Sequence, residues 1–145
     1  MKIIYLPIET KSREFNSKIL IACQCLNKGY QVVICANRNI PNSINNPGVI
    51  LLKSASGFEK EKLEKLRKKG LKIFLLDEEG VARTNSTLEV KNRYSQETLD
   101  KLDFVLLNST QEKKSLLNVF KIKEEKLIFT GNPRFDFYKP KLRNL

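Results

Sequence analysis

The sequence contains no histidine, and only three cysteines among its 145 residues. Without histidine the chain lacks the usual proton shuttle of neutral pH and most zinc sites. Any general base is then a carboxylate or a less common group such as lysine. The cysteines, Cys23, Cys25 and Cys35, are odd in number, and each lies within an apolar run. That pattern predicts buried thiols rather than a disulfide framework or a metal site. No stretch approaches the roughly 20 apolar residues of a membrane-spanning helix. The opening Met1-Lys2-Ile3-Ile4-Tyr5-Leu6-Pro7 is too short and breaks too early for a signal peptide, so the expected location is the cytoplasm. There is no internal repeat, no interdomain linker and no G-x-G-x-x-G run. Residues 1–145 read as one domain, and no cofactor is expected.

What the chain has in excess is positive charge. Twenty-seven Lys and Arg stand against sixteen Asp and Glu, a net charge of +11. That balance favours anionic partners: phosphorylated sugars, nucleic acid or an anionic membrane surface at which the protein sits peripherally. The basic residues are seldom interleaved with aromatic ones, which disfavours single-stranded nucleic acid. Residues 59–72 carry seven Lys/Arg and three Glu in an interleaved pattern that fits a solvated helix face.

Six short aliphatic runs read as strands: Lys2–Leu6, Gln31–Cys35, Val49–Leu52, Leu71–Leu76, Asp103–Leu107 and Lys126–Phe129. They are continuously apolar rather than alternating, as suits a parallel sheet covered on both faces. Helical patterns lie between several of them. Phe15, Ile19, Ala22, Cys23 and Leu26 recur at helical spacing and predict an inward face, with Gly29 as the stop. Ser56-Gly57-Phe58-Glu59 has capping-box form before Leu63 and Leu66. Ser109-Thr110-Gln111-Glu112 has the same form before Leu116, Leu117 and Phe120. The alternation predicts an α/β, Rossmann-like domain with a mainly parallel sheet of about six strands flanked by helices. Residues 37–48 read as a loop, and residues 77–95 as a long polar insert of the kind that often carries function.

Ligands of open α/β sheets bind beyond the carboxyl ends of the strands. Three polar clusters fall there. After the first strand come Glu9 and Arg13, in a turn and at a helix start that can offer free N–H groups to an anion. The plain alternative is a helix cap and a surface charge. After the fourth strand come Asp77-Glu78-Glu79-Gly80, where a partly desolvated glutamate is a candidate base. The alternative is an acidic turn, and the spacing defines no metal-ligand set. After the sixth strand, Gly131-Asn132-Pro133-Arg134-Phe135-Asp136 reads as a shaped polar loop. In it Arg134 and Asp136 either bind a phosphate, pair with each other or orient the chain.

The stretches "PIETKSREFNSKILIACQCLNKGYQVVI", "LLDEEGV" and "TGNPRFD" occur in that order, and the chain resembles bacterial surface carbohydrate biosynthesis proteins, which are similar to GT-B glycosyltransferases. The last stretch resembles a segment of CDP-glycerol glycerophosphotransferases, and the first the start of Kdo transferases. The resemblance spans Lys2 to Lys141. It implies the N-terminal, acceptor-side half of a two-domain enzyme, with the donor-binding C-terminal domain absent and no catalysis by this half alone. The implied partners are a glycan or lipid-linked acceptor and a nucleotide-sugar donor held by the other domain. By the same resemblance Glu9, Glu78 or Glu79 would deprotonate the acceptor hydroxyl. Arg13, Gly80, Asn132, Arg134 and Asp136 would position substrate. After the fifth strand, where an aromatic-Gly pair is often found, the residues are Leu107-Asn108-Ser109. A half-domain is also expected to expose apolar surface, at Phe135, Phe137 and Tyr138.

Overall fold

A computed structural model describes residues 2–78 and 87–142. Six strands, β1 (Ile3–Ile8), β2 (Gln31–Ala36), β3 (Val49–Leu52), β4 (Lys72–Leu76), β5 (Phe104–Leu107) and β6 (Leu127–Phe129), form one sheet in the order 2-1-3-4-5-6. Every pairing is parallel. The helices are α1 (Lys11–Asn27), α2 (Ile40–Ser43), α3 (Lys60–Lys68), α4 (Thr87–Arg93), α5 (Gln96–Lys101) and α6 (Thr110–Val119). The domain is therefore Rossmann-like α/β. Each apolar run of the sequence forms a strand, with ends that differ by no more than two residues.

Side chains alternate between the two faces of a strand, and the core divides accordingly. On one face Ile50, Leu52, Ile73, Leu75, Val105 and Leu107 pack with Leu63 and Leu66 of α3, Leu99 of α5 and Leu116 of α6. On the other, Leu6, Leu51 and Leu76 pack with Ile21 and Ala22 of α1. The segment read as a loop, residues 37–48, holds a 3-10 turn and the short helix α2. Its Ile40 and Ile44 are buried in the first core.

Three other expectations change. Of the apolar stripe on α1, only Ala22 is buried. The inward face is instead Glu14, Ser17, Lys18 and Ala22. Polar side chains sit inside here because charged partners at the strand ends meet them, as described below. The cysteines are free thiols and none is fully buried: Cys23 is exposed, and Cys25 and Cys35 are half-buried. Cys23 follows the stripe outward. Ser56 accepts no capping hydrogen bond; Glu59 instead accepts from Ser54 and pairs with Lys62. At Ser109 the expected cap is present, with Oγ accepting from the Glu112 amide.

In the strand order the chain steps from β1 to β2 and then crosses back over β1 to β3. The crevice between β1 and β3 is thus the topological switch point. Since all strands are parallel, Glu9, Lys53, Asp77, Glu78, Asn108 and Asn132 follow their strands at one rim.

Candidate functional site at the carboxyl rim

At the switch point, Glu14 in the first turn of α1 organises the turn. Its carboxylate accepts the backbone N–H groups of Glu9 and Thr10, at 2.9 and 3.2 Å, and one from Arg13 Nη2 at 3.1 Å. Lys53, just beyond β3, approaches it to 3.6 Å. Burial pushes the Glu14 carboxyl up, but the Glu9 amide, Arg13, the Thr10 amide and Lys53 together hold it below the ordinary range. Lys53 also binds Glu9 at 2.6 Å. Burial pulls its ammonium toward neutrality, yet the Glu9 hydrogen bond and the Glu14 charge outweigh this and raise its pKa. Glu9 is half-exposed and also accepts from Asn37 Nδ2 at 3.4 Å. It does not cap α1; Glu14 does.

After β4 the consecutive carboxylates face opposite ways, as the strand period requires. Asp77 is held by Arg93 and accepts from Tyr94 Oη at 3.2 Å. Burial, then the charges of Asp77 and Glu112, push the Tyr94 phenol well above its ordinary range. Glu78 faces α1 and meets Lys18 Nζ at 2.7 Å, with both side chains almost wholly buried. The approach is close, but neither group makes a well-directed hydrogen bond. We therefore describe it as an ion pair, not as a hydrogen-bonded bridge. Glu79 and Gly80, the other candidates in this stretch, lie outside the described residues.

After β6, the polar stretch is a 3-10 helix, Pro133–Tyr138, rather than an open loop. Asn132 caps it, accepting from the Arg134 amide at 3.0 Å, with Pro133 in the first position. Gly131 takes a φ of +72°, which glycine adopts without strain. Arg134 and Asp136 do not pair with each other. Arg134 Nη1 reaches the Glu78 carbonyl oxygen at 3.4 Å, and Asp136 pairs with Lys139 at 2.5 Å. The side chain of Arg134 thus fastens the end of β6 to the end of β4.

Between this 3-10 helix, α1 and the strand ends lies a cavity of about 560 Å³. Leu51, Leu76, Leu106 and Ile21 form an apolar floor, and Asn108, Ser109, Glu112, Thr130, Asn132 and Asp136 a polar wall. Asn132 is buried, and its Nδ2 has no hydrogen-bond partner. Asn108 donates to the Asp77 carbonyl oxygen at 3.1 Å while its Oδ1 also lacks one. A buried amide donor without a partner is costly. In the cavity wall it is a natural contact for a ligand hydroxyl.

The rim thus gathers Glu9 and Arg13 in one cluster, Glu78 and Arg134 in a second, and Asn132 and Asp136 at the cavity. Reading the sequence missed Glu14, Lys18, Lys53 and the unpartnered Asn108 oxygen in the cavity wall. Glu14 lies four residues after Thr10, one position beyond the capping-box spacing, and Lys18 carries no local signal. Among the described residues no group of three or more Cys, Asp or Glu is placed to hold a metal ion. No described helix is long and apolar enough to cross a membrane. Comparison of the chain with protein-family models, curated proteins and solved structures finds no match.

Proposed function

We propose that this domain is the acceptor side of a glycosyltransferase-like protein of surface carbohydrate synthesis, and that the rim cavity holds the acceptor sugar. The observation that supports this most is the pairing of an apolar floor with a hydrogen-bonding wall, above all the unpartnered Asn132 amide. Apolar C–H faces and rings of hydroxyls are what a sugar offers. The volume is within the roughly 300–1,000 Å³ of small-molecule sites. Donor nucleotide sugar would come from a facing second domain. The net charge of +11 suits an anionic acceptor or a peripheral position at an anionic membrane.

Of the described candidate bases, Glu78 is sealed by Lys18, and Glu9 is exposed but outside the cavity lining, so an acceptor would have to extend from the cavity to the switch point to meet it. To take up a proton Glu9 must first release Lys53, which the approach of an anionic group would bring about. Arg134 holds the cavity wall in place rather than touching substrate, and Asp136 and Asn132 face the ligand.

The test is saturation-transfer NMR of the chain with a panel of Kdo, N-acetylglucosamine, glycerol phosphate and inorganic phosphate. The variant Asn132→Asp keeps an oxygen to cap the 3-10 helix but removes the amide donor. A sugar signal that weakens about tenfold or more in this variant, roughly the worth of a buried hydrogen bond, supports the reading. Binding of phosphate alone, unchanged in Asn132→Asp, would instead favour a free-standing basic domain that takes an anionic ligand.

A further inference from the structure

The apolar stripe of α1 remains without a role inside the fold. Phe15, Ile19, Cys23 and Leu26 follow one another at helical spacing on the flank of α1 next to β2, where Phe15 and Leu26 line hollows with β2 residues. Ile19 is 37% exposed and Leu26 56%. Beside α1 runs β2, the first strand in the sheet order, whose outer edge meets no other strand among the described residues. Its Val33 and Ile34 are 40% and 37% exposed. The strand's own residues do not guard this edge: residues 31–36, "QVVICA", include no charge and no proline, the usual devices against strand addition. Hollows open at both ends of the strand. One is lined by Leu26, Val32 and Val33, the other by Phe15, Ile34 and Cys35.

Charge is also missing from this side. Charged residues make up 30% of the chain, yet residues 15–36 contain only Lys18 and Lys28, and Lys18 is turned inward to Glu78. An anionic membrane or nucleic acid would find only Lys11 and Lys28, at the two ends of the patch, to hold here. A second copy, strongly cationic everywhere else, can approach along this side with the least repulsion.

We propose that two copies of this chain associate here about a two-fold axis. The β2 strands pair antiparallel into one continuous sheet, and the α1 stripes pack against each other on its face. Helix α1 touches β1 and β2, and its Phe15 and Leu26 share hollows with β2 side chains, so the stripes lie along the seam that the paired strands would form. The contact is isologous, so it closes at two copies. The carboxyl rim is left open, and each copy keeps its own cavity.

The experiment is light scattering of the full chain after size exclusion, across a concentration series. We expect about 34 kDa, twice the 16.8 kDa of the chain. Lys11 and Lys28 border the patch at the two ends of α1, so raising salt from about 50 to about 500 mM screens their repulsion and tightens the dimer several-fold. Ile19→Glu and, separately, Val33→Lys give folded monomers by circular dichroism, because both residues are exposed. Phe135→Ser with Tyr138→Ser leaves the dimer intact. A chain that is monomeric at about 100 μM, where even a weak specific interface is populated, overturns the proposal. So does a dimer that survives Ile19→Glu and Val33→Lys, or one that only the Phe135 and Tyr138 changes dissolve.

Discussion

A lysine and a glutamate almost wholly out of water, each with only the other for charge compensation among the described residues, form the least ordinary pair described in this protein. Lys18 and Glu78 tie the middle of α1 to the end of β4 at 2.7 Å. Desolvating two ions costs several kcal/mol each, and their attraction offsets this only while both are present. Removing one charge strands the other. Lys18→Met alone, or Glu78→Gln alone, is therefore expected to lower stability by about 3–5 kcal/mol, whereas Lys18→Met with Glu78→Leu restores most of it or exceeds the starting value. Urea unfolding of the four proteins measures this directly. If the double variant is as unstable as the sum of the singles, the pair does not act as a unit. Of the two residues only Glu78 is conspicuous in the sequence, as part of three carboxylates ending an apolar run. Lys18 looks like any surface lysine, since nothing in its neighbours reveals the charge that meets it across 60 residues of chain.

The same contrast between local and distant causes separates the elements. Strands were legible because a run such as Val49–Leu52 or Phe104–Leu107 is buried by its own composition, whatever packs on it. Helix α1 was legible as a helix but not in its orientation. Apolar residues predict an inward face only when the partner surface is apolar, and the sheet rim under the first turns of α1 is charged. Asn132 and Asp136 were legible as polar residues after a strand. That the Asn132 amide is left without a partner depends on how the 3-10 helix folds back on α1, which no local pattern encodes. Glu14 makes the polar start of α1 testable. Its carboxyl is held below the ordinary range in the folded protein, so the stability it adds is complete above its unfolded value, about 4.3. That stability is lost as pH falls through the lower, folded value. Glu14→Gln should cost about 1–3 kcal/mol at neutral pH, and this deficit should shrink below about pH 4.3. A deficit that stays constant from about pH 6 to pH 2 would mean that the charge of Glu14 does nothing for the turn.

At the scale of the whole molecule, two electrostatic effects oppose each other. Surface pairs such as Lys60–Glu97 and Lys113–Glu124 weaken when salt is added. Self-repulsion among like charges also weakens, and that stabilises the compact state. The balance follows from the counts. If every Asp and Glu were matched with a cation, eleven positive charges would still remain without one. Exposed pairs contribute about 0–1 kcal/mol apiece, while the uncompensated excess acts on all of the chain at once. Repulsion therefore wins, and the melting temperature should rise from about 20 to about 300 mM sodium chloride, where the screening length falls well below the size of the domain. Lys114 on α6 is exposed, and the residues three and four away on its helix are uncharged. Lys114→Glu lowers the net charge by two without creating a like-charge neighbour on its own helix. It should raise the melting temperature at low salt by a few degrees, the size of a ~0.5 kcal/mol change in a domain of this length, and flatten the salt dependence. A melting temperature that falls with added salt in both proteins would show that the surface pairs, not the excess charge, set the stability of this domain.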